Sequence, residues 1–285
     1  MLASPHAIAL AGALCSAIAT ILLRQGLRRS NFYAGFWINV VVGVIGLWAA
    51  LLLWVPRDAY QLSAIPFFVV SGLIGTAAGR FLRVVSIEKV GASVSAAITN
   101  LNPFIAAALA ILVLGEQVTL PILAGTLVIV LGTILLSLSG RVVGFRPVDL
   151  LYPLLSAVCF GVVAIIRKLG LSQTGPLFGA AINMTTALVA FTAYLLVTGN
   201  RDELLCDRRS LLCFVTAGIA ENAGVYLVLE ALCLGSVSVV APLAGTAPLF
   251  VLGMAFLFLK GVEKLTWRIV AGTTLIVLGV FLLKA

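Results

Sequence analysis

Ten long apolar stretches, separated by short polar turns, account for almost the whole chain. They run at about residues 6–23, 34–55, 65–85, 92–113, 120–139, 149–168, 177–198, 211–232, 237–259 and 267–284. A helix needs roughly 20 apolar residues to cross a hydrocarbon core, so each stretch predicts a membrane-spanning helix. The fold class that follows is all-α, a polytopic membrane protein with ten transmembrane helices. The fourth stretch carries Pro103 well inside it, and the ninth carries Pro242 and Pro248. Proline removes a backbone donor and clashes with the preceding turn, so these three positions predict helix breaks and points of bending.

The pattern occurs twice. Val90-Gly91-Ala92-Ser93, Asn102-Pro103-Phe104, Gly115-Glu116-Gln117, Ala124-Gly125-Thr126 and Leu131-Gly132 return as Gly235-Ser236-Val237-Ser238, Ala247-Pro248-Leu249, Gly261-Val262-Glu263-Lys264, Ala271-Gly272-Thr273 and Leu278-Gly279. Upstream, Ala13, Cys15, Arg24, Gly26 and Leu27 match Ala157, Cys159, Lys168, Gly170 and Leu171 at a constant separation. Gly35, Ile38 and Asn39 match Gly179, Ile182 and Asn183 at the same one. Later slips of one to three residues are what changed loop lengths leave after a duplication. Two repeats are expected, residues 1–143 and 144–285, joined near Gly140 to Gly144. Five spans per half is an odd number, so the second half enters the membrane from the opposite side. Inverted repeats of this kind place a site near the membrane midplane between the halves, as in secondary transporters.

Composition supports the membrane reading: 62% of residues are hydrophobic and only 10% are charged, against about 25% charged in soluble domains. The net charge of +8 matters through its placement, and nucleic acid is not the expected partner. Arg24, Arg28, Arg29, Arg80, Arg83, Lys89, Arg146, Arg208, Arg209 and most other basic residues follow the odd-numbered spans. The opposite side holds Arg57, Arg167, Lys168 and Lys284. The positive-inside rule then puts both termini outside. Leu14-Cys15 sits where a leader peptide could be cleaved, but no basic segment precedes it and its span matches the one around Cys159, so the helix is expected to stay. Five cysteines without a CxxC pairing and a single histidine, His6, offer neither a zinc site nor a Cys/His nucleophile.

Glu88-Lys89-Val90-Gly91-Ala92-Ser93, Asn102-Pro103-Phe104, Leu114-Gly115-Glu116 and Ala124-Gly125, repeated at Gly235-Ser236-Val237-Ser238, Pro248-Leu249-Phe250, Glu263-Lys264-Leu265 and Gly272, resemble the drug/metabolite transporter superfamily, in particular its EamA-type ten-helix members. The resemblance covers both halves and implies two EamA-like five-helix repeats. It also implies an exporter or antiporter of metabolites in a bacterial inner (cell) membrane. Small multidrug relatives work through a carboxylate in the first helix. The matching helices here, Ala7 to Leu23 and Leu150 to Ile166, contain no acid, which argues against proton exchange with a cationic drug. The resemblance implies cytoplasmic termini, against the charge count.

Polar residues within a span are costly unless paired or facing a cavity, so each is a candidate. Thr76, Arg80 and Arg83 share one face of the third span. They either line a cavity or reach lipid phosphates. Asn222, Tyr226 and Glu230 form a second stripe on the eighth span, beside Glu221, which stands opposite Thr76 in the repeat register. The pseudo-symmetry predicts an arginine wall facing a glutamate wall, a setting suited to a zwitterion. Alternatively, Arg80 and Glu221 pair with each other, statically or as a gate. Asn39 and Asn183 are interhelical glue or cavity lining, and Asn102 is a candidate substrate contact. Glu116 and Glu263 are expected to cap local turns near Thr119 and Thr266.

The expected function is secondary transport of small polar metabolites, above all amino acids or similar zwitterions in the export direction. The alternative is an antiporter or flippase for a phosphate-bearing anion, with Arg80 and Arg83 as its phosphate site. The acids are too dispersed for a membrane enzyme, and no cofactor or metal is expected.

Overall fold

The computed structural model describes residues 4–56, 59–90, 92–137, 146–199, 204–258 and 267–283. The described residues are helical, without strands: α1 (Pro5–Gly26), α2 (Phe32–Trp54), α3 (Ile65–Ser71), α4 (Arg80–Val90), α5 (Ala92–Thr99), α6 (Asn102–Leu114), α7 (Leu120–Ser137), α8 (Leu151–Leu171), α9 (Pro176–Thr198), α10 (Arg208–Leu234), α11 (Val237–Ala244), α12 (Ala247–Phe258) and α13 (Trp267–Leu282). A π-helical segment, Gly72–Gly79, joins α3 to α4 in one rod. Eight stretches are long and apolar enough to span a membrane, with shorter apolar helices at Leu120–Leu136 and Val270–Leu282. This fits ten membrane helices. The expected repeat junction, Glu263, Arg57 and Lys284 lie outside the described residues.

Local sequence sets the helix ends. Ser4, Asn31 and Asp207 accept the N–H groups of Ala7, Ala34 and Ser210, at 3.3, 2.9 and 3.2 Å, satisfying donors that a helix leaves open at its start. The expected proline breaks are present at two of three positions. α5 gives way to α6 just before Pro103, and α11 to α12 just before Pro248. Pro242 instead lies inside α11. The two breaks meet, since a Cβ added to Gly245 would lie 3.5 Å from Pro103 Cγ.

Inverted symmetry is visible in the packing. Gly26 and Gly35 close on the ring of Phe214, while their repeat partners Gly170 and Gly179 close on Phe68; both rings are fully buried. At the α7–α13 crossing Gly125 faces Gly279 and Gly132 faces Gly272, so the later residue of one helix meets the earlier residue of the other. The helices are therefore antiparallel, and a two-fold rotation exchanging the repeats maps each contact onto the other. An added Cβ at any of the four would lie 2.7–2.9 Å from the facing carbonyl oxygen.

The molecule has two chemically distinct ends. The Ser210 hydroxyl donates to Gly26 O at 3.0 Å, which brings Arg24, Arg28 and Arg29 beside Arg208 and Arg209. At the other end Gly235 approaches Pro5, and His6 lies 3.4 Å from Leu283 O.

Candidate functional site

The π segment Gly72-Leu73-Ile74-Gly75-Thr76-Ala77-Ala78-Gly79 organises the polar interior. An added Cβ at Gly72 would lie 2.7 Å from Asn183 O, and one at Gly75 would lie 3.0 Å from Val163. Absent side chains thus admit α8 and α9 directly against it. The wider π turn also re-aims the residues that flank it, Ser71 and Arg80, and such segments recur at functional sites.

Arg80 Nη2 donates to Glu221 Oε1 at 3.3 Å, and each side chain is 22% exposed. The Ser16 hydroxyl donates to Glu221 Oε2 at 3.1 Å, and the Arg80 guanidinium lies 5.6 Å from the centre of the Phe36 ring, within cation–π range. Of the arrangements open from sequence, direct pairing of Arg80 with Glu221 is the one observed. Glu221 carries the link across the repeats, from α4 to α10, and Ser16 adds α1.

A second cluster begins one turn away. Asn183 Nδ2 donates to Thr76 Oγ1 at 3.0 Å, and its Oδ1 accepts from the Ser71 hydroxyl at 2.7 Å. Arg167 joins them, its Nε donating to Ser71 Oγ at 2.9 Å and its Nη2 to Asn183 Oδ1 at 3.4 Å. Arg167 also lines a cavity of about 120 Å³ together with Gly12, Ala13, Ser16, Gly224, Val225, Val228 and Ala244. The cavity therefore sits between α1, α8, α10 and α11, with residues of both repeats in its wall.

The sequence pattern puts Arg167 and Lys168 at the very end of the sixth span, where they count as boundary charges and not as site candidates. In the structure α8 continues to Leu171, and both are partly buried within it. The turn signal Ser172-Gln173-Thr174-Gly175 marks that later end. Lys168 Nζ donates to Leu232 O and Gly235 O, at 2.5 and 2.7 Å.

The other candidates stand elsewhere. Asn39 and Asn222 form glue between α2 and α10: Asn222 Nδ2 donates to Asn39 O at 3.1 Å and to Gly218 O at 2.7 Å. The Oδ1 atoms of both have no partner among the described residues. Arg83 is exposed. Tyr226 lies beside Glu230 and packs against the apolar core. Asn102 Nδ2 donates to Thr99 O at 2.9 Å, bridging the α5–α6 break. Glu116 does cap a helix, but not a local one. Its carboxylate accepts from Val237 N, Ser238 N and the Ser238 hydroxyl at 2.8, 3.1 and 2.7 Å, at the start of α11 in the opposite repeat. Among the described residues no group of three His, Cys, Asp or Glu could hold a metal.

The sequence pattern of the EamA-like transporter family matches residues 4–138 and again residues 149–285. An uncharacterized protein of Methanocaldococcus jannaschii is 29% identical over 131 residues, 46% of this chain and 92% of that one, so its length is close to that of one repeat. A solved structure, described only as the crystal structure of a protein, superimposes with a TM-score of 0.81 at 16% identity, covering 98% of this chain and 95% of that one. At that identity it shows the fold alone.

Proposed function

The chain belongs to the EamA-like transporter family, and from that premise we propose that it carries small polar metabolites across the cell membrane by alternating access. We take amino acids or similar zwitterions, moved in the export direction, as the cargo. One observation supports this reading most: a cavity walled by both repeats, with Arg167 on one side and Ser16, the partner of Glu221, on the other. Inverted-repeat transporters hold their substrates at such a place, where rocking of one repeat on the other exposes the site to each side in turn.

In this reading the Arg80–Glu221 pair ties α4 to α10 beside the cavity and is remade during transport. Arg80→Ala and Glu221→Ala are each expected to abolish counterflow of amino acids in proteoliposomes while the purified variants keep their helical content. Normal flux in both would overturn the site assignment. Counterflow of sugar phosphates without amino acids would instead favour an anion antiporter. That reading gains nothing from its proposed phosphate site, since Arg80 is engaged by Glu221 and Arg83 is exposed.

A further inference from the structure

We infer, taking the transport reading as given, that Arg167 is the anchor for the substrate's anionic group, and that it limits the cargo to small molecules carrying one carboxylate. The two half-buried arginines differ in what faces them. Arg80 meets a carboxylate at 3.3 Å. The acceptors of Arg167 are neutral, Ser71 Oγ and Asn183 Oδ1, and among the described residues it forms no ion pair. A guanidinium has five N–H donors, so the two hydrogen bonds orient it and leave three donors and a full charge.

The orientation is well held. Ser71 is fully buried and Asn183 is 1% exposed. Asn183 donates to Thr76 through Nδ2, which fixes its Oδ1 toward Ser71 and Arg167. The remaining wall is apolar or backbone at Gly12, Ala13, Val225 and Val228 and polar at Ser16, whose hydroxyl is held by Glu221. A half-buried cation held this way has given up part of its hydration, and an entering carboxylate replaces it through short charge-assisted hydrogen bonds. A neutral solute offers only weaker acceptors, and a cationic one is repelled.

Size selects further. The cavity of about 120 Å³ suits a carboxylate with a short side chain better than a nucleotide sugar. A single guanidinium also matches a monoanion better than a phosphate dianion.

The test uses the full-length protein in detergent and follows its thermal midpoint with L-alanine, pyruvate, alaninamide and inorganic phosphate, since a ligand bound to the folded state raises that midpoint. Alanine and pyruvate should raise it and alaninamide should not. Arg167→Gln should remove the carboxylate response or weaken apparent affinity at least tenfold. Arg167→Lys, which keeps the charge, should still separate alanine from alaninamide, as should Ser71→Ala with several-fold weaker binding. These two carry the test if Arg167→Gln fails to fold. No carboxylate response in the wild type, an equal response to alaninamide, a response to phosphate alone, or undiminished binding in Arg167→Gln would each overturn the anchor. Counterflow of neutral solutes, equal in wild type and Arg167→Gln, would overturn it while leaving transport standing. Carboxylate binding through Arg167 with no counterflow in the wild type would overturn transport and leave the anchor.

Discussion

Asp207 shows how much a single side chain at the membrane boundary can report. It caps α10, and the hydroxyl and N–H of Ser210 hold its carboxylate below the usual range. A depressed folded value means the group contributes stability above its unfolded value of about 3.9, a contribution lost as pH falls through the folded value. The thermal midpoint should therefore drop on acidification below about pH 4. Asp207→Asn, which keeps an acceptor but no charge, should start lower at neutral pH and lose less there. Equal slopes for the two proteins between pH 6 and 3 would show that the cap charge is not coupled to folding. Arg167 is not legible in the sequence as a site residue, because hydropathy places a helix in the membrane without giving its exact end or its rotation. A residue near the end of a span is then indistinguishable from one in the turn. Glu116 was read as a cap, but nothing local in the sequence names a recipient 121 residues away.

At the scale of elements, backbone proximity decides more than side-chain chemistry. The α7–α13 crossing rests on four glycines that each leave a facing carbonyl no room for a Cβ. Small residues are how membrane helices gain dispersion contact where lipid offers no hydrophobic driving force. Gly132→Val should force the helices apart and cost about 1–3 kcal/mol, the usual range for overpacking. Gly272→Ala should show the same sign. Gly46→Ala in α2, where an added Cβ meets nothing within 4 Å, serves as the control and should leave the midpoint unchanged or slightly higher. Thermal unfolding of the three variants checks this, and a Gly132→Val protein as stable as the wild type would exclude a tight crossing. These glycines were legible in sequence because the repeat doubled them, as were the breaks at Pro103 and Pro248. The π segment was not. Its glycines Gly72, Gly75 and Gly79 signal close approach, but the widening of the turn depends on α8 and α9 arriving from elsewhere in the chain. Pro242 does not break the helix where it stands, the sixth of eight residues in α11, which ends two residues later at Ala244.

For the whole molecule, the informative feature is where two similar halves differ. The α10–α11 turn is clamped from both sides: Lys168 covers the carbonyl end of α10 and Glu116 covers the amide end of α11. Each charge complements the helix dipole it meets. Arg24 occupies the position of Lys168 in the first repeat, yet it is exposed at the opposite, basic end and has no partner among the described residues. Sequence symmetry gives both halves the cationic part of a clamp, and the one at Lys168 lies within the described residues. It stands at one end of α11, whose other end carries the cavity residue Ala244, about 10 Å away at ~1.5 Å per residue. In the transport reading, opening the cavity toward the clamped end parts the clamp. In protein lacking its native cysteines, a cysteine at Val228 should be labelled several-fold faster from the clamped end when Glu116 is changed to Gln. Arg24→Met, which alters the opposite, basic end, should not speed it. Labelling with a membrane-impermeant maleimide added to either side of sealed vesicles measures this, and identical rates in wild type and Glu116→Gln would mean that the clamp is static capping and the closure lies elsewhere.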